Sequence, residues 1–228
     1  TEPPVGGPHA DRWLDCGVYD EQVPAENLVH DLEHGTVVIA HDPDLDEDDR
    51  EALAELLSRL DNFPHPTLAR VQGAAFGGGV GLVSCCDIAI GSPRASFCLS
   101  EVKIGLIPAT ISPYVINAIG PRAARRYFIS AERFDADTAL QLGLLSQCVE
   151  EEQLDDAVET CIAQLLNNGP AAMQAAKRLL LDYQNQPLSD ALIADSCERI
   201  ADIRVSPEGQ EGLSAFLEKR RPNWQRGD

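Results

Sequence analysis

Gly73-Ala74-Ala75-Phe76-Gly77-Gly78-Gly79-Val80-Gly81-Leu82 places five glycines among ten residues, between two apolar runs. Upstream, Leu68-Ala69-Arg70-Val71 reads as a buried strand entered from the Pro64-His65-Pro66 linker. Downstream, the apolar stretch to Asp87 is followed by Ile88-Ala89-Ile90-Gly91, a second strand. A strand, a glycine run and a helix let backbone N–H groups approach an anion or a polarised carbonyl, because no side chain intervenes. The run is not a dinucleotide fingerprint: the glycine order differs, and no acidic residue ends a second strand at the required distance. No Walker lysine follows it either.

Further out, the 228 residues carry 18 Lys and Arg against 37 Asp and Glu, a net charge of −19. Such a surface repels nucleic acid and anionic membrane. No apolar run reaches the roughly 18–20 residues of a membrane-spanning helix, and no secretory-type segment opens the chain. The charge is uneven. Residues 1–61 hold 17 acids and 3 bases, and all five histidines fall at or before His65. A step of this kind marks a domain boundary or a graft. The seven cysteines show no metal-ligand spacing and are read as reduced, buried thiols of a cytoplasmic protein.

Three segments follow: residues 1–45, loop-rich and histidine-containing; residues 46–62, a junction; and residues 63–228, the main domain. Thr36-Val37-Val38-Ile39-Ala40 reads as a short strand. Asp46–Leu60 reads as a helix, with Leu53, Leu56, Leu57 and Leu60 at helical spacing. His30-Asp31-Leu32-Glu33-His34 fits H-x-x-E-H, which on a helix sets two imidazoles one turn apart for zinc. Gly35 would end that helix at once, so the pattern alone does not make a peptidase. Pro3-Pro4, Gly7-Pro8-His9, Trp13, Gly17-Val18-Tyr19 and His30-x-Leu32-Glu33-His34-Gly35 together resemble an uncharacterised bacterial domain family. That resemblance implies a histidine metal site at His9, His30 and His34.

The main domain resembles the enoyl-CoA hydratase/isomerase (crotonase) superfamily at five ordered places. These are the glycine segment from Gly73; Cys86-Asp87-Ile88-Ala89-Ile90; the run from Ala95 through Glu101 to Pro108; Ala136 to Val149; and Ser206 to Trp224. Gly79-Val80-Gly81 and Ile107-Pro108-Ala109-Thr110-Ile111-Ser112-Pro113 look closest to methylglutaconyl- and isohexenylglutaconyl-CoA hydratase relatives. The expected fold is α/β: a crotonase-like ββα superhelix core, N-terminally incomplete, with C-terminal helices and a foreign N-terminal segment.

The resemblance implies an acyl-CoA partner, a coenzyme A thioester as substrate, no required metal or redox cofactor, and a homo-oligomer, trimer or hexamer. It implies that the Gly78 N–H holds the thioester oxygen and that Glu101 moves the proton on the neighbouring carbon. Ala74, Phe76, Gly77 and Pro108 would line the substrate site, and Lys219 would reach a neighbouring subunit's nucleotide. A surface role remains open for Lys219 and Glu101, as do ion pairs for Arg122, Arg125 and Arg126. Two departures stand out. The position of the family's other catalytic acid is Gly81, and no Ala-Gly-x-Asp-Leu-like loop for the second oxyanion donor precedes Val71. Loss of one such donor costs about 10²–10³ in rate, so weakened hydratase turnover is expected. The rival readings are a histidine metal-binding domain in residues 1–45 and an inactive hybrid scaffold. Glu150-Glu151-Glu152 is read as a solvated helix start, and Met173, Ala176, Leu180 and Leu181 as a core stripe.

Overall fold

The computed structural model describes residues 55–225. The readings made on residues 1–54, including the Thr36–Ala40 strand, the start of the Asp46–Leu60 helix and the metal candidates His9, His30 and His34, lie outside the described residues. The chain forms two compact units; the described parts of the first are residues 55–61 and 68–157, and of the second 62–67 and 158–225.

In the first unit, the end of the predicted junction helix is helical over 55–61. Leu57 is buried in the core and Leu60 packs against it, whereas Leu56 faces outward. The chain then runs through β1 (Leu68–Val71), β2 (Ala74–Phe76), α1 (Gly78–Cys85), β3 (Ile88–Gly91) and β4 (Ser96–Cys98). β1 pairs in parallel with β3, Leu68 opposite Ile88, and β2 pairs in parallel with β4, Ala74 opposite Ser96. Parallel neighbours need a crossover, and α1 supplies it for both pairs. Each pass of the chain therefore contributes one strand to each of two sheets, which is the ββα arrangement that the family resemblance implies.

The bends between sheets are clipped by Ser92, a fully buried polar residue. Its hydroxyl donates to the Gln72 carbonyl at 2.9 Å and its N–H to the Val71 carbonyl at 3.0 Å. One buried side chain thus ties the second bend to the first, with its polar groups satisfied.

After β4 come a 3-10 turn (Glu101–Ile104) and α2 (Ser112–Ser130), which breaks at Gly120 (φ 74°) before Pro121. β5 (Phe134–Asp135) joins β4 antiparallel, α3 (Ala136–Leu142) follows, and β6 (Gln147–Cys148) joins β3 in parallel. Asp135 caps α3 by accepting the Thr138 N–H at 2.9 Å. Between the sheets and helices, Phe97 stacks on Phe134 with centroids 5.4 Å apart, and Tyr127 tilts against Phe134 at 4.3 Å. Glu151 is not a merely solvated acid. It accepts from Gln72 at 2.7 Å and from Arg94 at 2.9 Å, anchoring the segment after β6 to the sheet ends.

α4 (Leu154–Leu166) leaves the first unit. The second holds α5 (Pro170–Tyr183), α6 (Asp190–Val205) and α7 (Pro207–Glu218). Its helix ends are satisfied by side chains: Glu208 accepts the Ala171 and Ala172 N–H groups at 3.0 and 2.8 Å, Ser189 caps α6 and Ser206 caps α7. The core stripe expected on α5 is corrected here. Leu180 is 73% exposed and Ala176 is exposed, while Met173 and Leu181 are half-buried. Helical spacing marks one face of α5, but among the described residues nothing apolar covers it there, and α7 likewise leaves Phe216 81% exposed.

Among the described residues no helix is long and apolar enough to cross a membrane, and no three His, Cys, Asp or Glu side chains gather as a metal site. The six described cysteines form no disulfide.

Candidate active site

β2 and β4 run in parallel and in register to Phe76 opposite Cys98. Their carboxyl ends therefore release the two predicted segments side by side: Gly77-Gly78 after β2, and Leu99-Ser100-Glu101 after β4. The ladder reaches one residue further, the Gly77 N–H donating to the Cys98 carbonyl at 2.8 Å. Crevices beyond the carboxyl ends of parallel strands are where α/β proteins place ligands.

Gly77 turns the chain from strand into helix at φ 50°, ψ −118°, a conformation that side-chain-bearing residues rarely adopt. Its carbonyl accepts the N–H groups of Val80 at 3.0 Å and Gly81 at 3.4 Å. The N–H groups of Gly78 and Gly79 belong to the first turn, which a helix cannot satisfy internally. No side chain caps this end and no acid stands in its first turn. The partial positive charge of the helix terminus is therefore presented by backbone alone.

Glu101 faces this turn. A Cβ placed on Gly77 would lie 3.3 Å from Oε1 of Glu101. Its other oxygen, Oε2, is buried and has no hydrogen-bond partner among the described residues. Desolvation holds the carboxyl above the ordinary glutamate range; the smaller backbone hydrogen-bond contribution acts in the opposite direction. The backbone that carries this side chain is held by a tight turn. Its carbonyl accepts the Leu106 N–H at 3.0 Å, and Gly105 closes the 3-10 turn at φ 78°. A half-buried carboxyl with one unsatisfied oxygen, beside a helix end whose Gly78 is half-buried, can take a proton from a neutral carbon acid whose developing charge rests on the first-turn N–H groups.

The remaining predicted residues divide. Ala74 and Phe76 are the half-buried ends of β2, and the Arg133 guanidinium lies 4.7 Å from the centre of the Phe76 ring. Pro108 is buried between Ile107, 73% exposed, and the exposed Ala109. Lys219 belongs to the second unit, where it ends α7 as an exposed residue at φ 55°. Arg126 pairs with Glu132, in line with the ion-pair reading of the basic run.

Ile111, read in the sequence only as part of the Ile107–Pro113 run, stands over Gly81. A Cβ on Gly81 would lie 2.3 Å from Cγ2 of Ile111 and 2.8 Å from its Cβ. Gly81 sits inside α1, where alanine is favoured by about 0.5–1 kcal/mol; that discordance was the available signal for a close approach.

The family description Enoyl-CoA hydratase/isomerase matches residues 35–227. A crystal structure of an enoyl-CoA hydratase from Shewanella pealeana is similar at 53% identity and a TM-score of 0.75, covering 79% of this chain and 69% of that one. A putative enoyl-CoA hydratase of Thermus thermophilus is 30% identical over 173 residues, 76% of this chain and 68% of the relative. The rat enoyl-CoA hydratase domain-containing protein 3, mitochondrial, is 31% identical over 174 residues, and there the match spans 58% of the relative's length.

Proposed function

We propose that this chain, which belongs to the enoyl-CoA hydratase/isomerase family, holds the carbonyl oxygen of a coenzyme A thioester against the first turn of α1. Glu101 then moves a proton at the adjacent carbon. The observation that carries this reading is the placement of the Glu101 carboxyl 3.3 Å from the Cβ position of Gly77, with Oε2 buried and unpartnered.

The chemistry follows from the geometry. The Gly78 N–H donates to the thioester oxygen, and its bond strengthens as that oxygen gains charge in the enolate. One such donor is worth about 10²–10³ in rate. A glycine at 77 leaves room for the carboxyl to approach the carbon beside the carbonyl. The raised pKa makes Glu101 a stronger base once ionised than an ordinary surface glutamate. Ala74, Phe76 and Pro108 flank the acyl portion, and the reaction needs neither metal nor redox cofactor. A branched, methylglutaconyl-type acyl group is the substrate to try first, because the Gly79-Val80-Gly81 and Ile107–Pro113 sequences resemble hydratases of such thioesters. In a homotrimer or hexamer, Lys219 would serve the nucleotide of a neighbouring subunit.

The test is turnover of a panel of 2-enoyl and 3-enoyl thioesters, methylglutaconyl-CoA included, followed by absorbance of the conjugated enoyl group. The wild type changes the signal with at least one thioester, and Glu101→Gln loses at least about 10²-fold of that rate. Equal rates in the two proteins would overturn the assignment.

A further inference from the structure

The linker that precedes β1 and the helix α5 belong to the same compact unit, and between them lies a cavity of about 430 Å³. Neither Gly78 nor Glu101 lines it. Phe63 and Pro64 form part of the linker wall, and the Phe63 side of it is open, that residue being 47% exposed. Ala171, Ala175 and Arg178 line it from α5, at the spacing of one helix face. The two alanines leave space one side chain deep opposite an aromatic ring.

Polar contacts tie the two walls together. The Gln174 amide meets the His65 ring at 3.1 Å, and Nζ of Lys177 donates to the His65 carbonyl at 3.4 Å. The Phe63 ring packs on that imidazole, with centroids 5.7 Å apart and the planes tilted by 56°. Phe63 is therefore held in place beside α5 before any ligand arrives.

The charge of the lining runs against that of the chain. Acids outnumber bases by 37 to 18 in the sequence, yet the lining holds Lys177 and Arg178 and no carboxylate. Arg178 reaches Asp182 through Nη2 at 2.7 Å. A guanidinium carries five N–H donors in a planar fork, so one such contact does not use up its capacity to bind an anion.

We propose that this cavity binds a small aromatic carboxylate, with its ring between Phe63 and the alanines of α5 and its carboxylate on Arg178 and Lys177. A ring is favoured over an alkyl chain because aromatic pairs gain energy beyond the area they bury. A carboxylate is favoured over a neutral group because its two oxygens match the guanidinium fork. Five of the nine lining residues are apolar, which suits one ring with one charged end better than the sugar and phosphates of a nucleotide. The volume falls in the range of small-molecule sites, about 300–1,000 Å³.

The experiment is isothermal titration calorimetry on the purified full chain, with 3-phenylpropionate as the probe and 3-phenylpropionamide as its neutral isostere. Wild type is expected to bind the acid with a Kd of about 1 mM or tighter, and the amide at least about tenfold more weakly. Arg178→Gln, which leaves Asp182 its contact with Arg199 at 2.8 Å, is expected to weaken the acid at least about tenfold. Ala175→Leu puts a good helix former into the vacant space and is expected to abolish binding. Far-UV circular dichroism checks that both variants are folded. Glu101→Gln is expected to bind the probe as wild type does, because that carboxyl does not line the cavity. No heat at 10 mM probe, equal affinity for acid and amide, or binding unmoved in both α5 variants overturns the proposal. So does binding that is lost in Glu101→Gln, or a protein that takes AMP in place of the aromatic acid.

Discussion

Adding one methyl group to Gly81 and then trimming Ile111 gives a graded test of the packing over α1. The new Cβ would stand 2.3 Å from Cγ2, 2.8 Å from Cβ and 3.8 Å from Cα of Ile111. Optimal carbon contacts lie at about 3.5–4.0 Å, so the isoleucine must retreat by more than an ångström from a site where it is 5% exposed. Overpacking of this kind costs about 1–3 kcal/mol, offset by the roughly 0.5–1 kcal/mol that alanine gains over glycine inside a helix. The expected net loss for Gly81→Ala is about 1–2 kcal/mol. With Ile111→Ala the Cγ2 contact is gone while the 2.8 Å contact remains, so the penalty shrinks. With Ile111→Gly the nearest remaining atom stands at 3.8 Å, an ordinary contact, and Gly81→Ala should then stabilise. Urea titrations followed by far-UV circular dichroism, at constant slope, give the coupling energy, expected at about 1–3 kcal/mol. A Gly81→Ala protein as stable as wild type, or an equal penalty in all three backgrounds, would refute the reasoning.

The raised pKa of Glu101 has a definite sign in stability. The native carboxyl binds its proton more tightly than the unfolded chain does, so stability is highest below the unfolded value and falls as pH rises through the native one. Glu101→Gln should therefore unfold at a higher temperature than wild type at neutral pH, and this advantage should vanish in acid; a variant less stable at neutral pH contradicts the burial argument. Gly77→Ala must hold an alanine at φ 50° while its Cβ crowds Oε1 of Glu101 at 3.3 Å. A loss of about 1–3 kcal/mol with slower turnover is expected in denaturation and rate measurements, and an unperturbed protein argues against this turn. Burial, ahead of the charges of Asp61 and Cys86, pushes the Cys85 thiol up to about 12. Iodoacetamide should leave Cys85 unmodified in the folded protein while reaching the exposed Cys197, and peptide mapping that finds Cys85 alkylated first would reverse the assignment.

Much of the first unit is legible because its signals are local. The glycines from Gly73 to Gly81 mark a strand-to-helix turn, and Pro108, Pro113 and Pro121 punctuate the helix that follows. Leu142-Gly143-Leu144 announces a helix end, which Gly143 supplies at φ 84°. The approach of Glu101 to Gly77 is legible only through family resemblance. The two positions are 24 residues apart, and parallel pairing of β2 with β4 is what joins them. The contact of Ile111 with Gly81 is not legible for a related reason: a branched apolar residue before a helix is commonplace, and the glycine it covers lies thirty positions earlier. On α5 helical spacing misled, because periodicity marks one face of a helix without saying what covers it. The second unit leaves Leu180 exposed. Ser92 shows the converse case, an ordinary loop serine whose burial and hydrogen bonds to the Gln72 and Val71 carbonyls arise only when two bends meet.

Proton exchange at the carbon beside a thioester carbonyl tests the central claim with the fewest intervening steps. A saturated acyl-CoA, which has no double bond to hydrate or shift, is incubated with the protein in heavy water, and deuterium at C2 is followed by mass spectrometry. Wild-type protein is predicted to exchange that proton at a rate that rises with pH through a value above the ordinary glutamate range. Glu101→Gln is predicted to bind the thioester and exchange at least about 10²-fold more slowly. Exchange unaffected by Glu101→Gln, or none in a wild type saturated with thioester, would contradict the account.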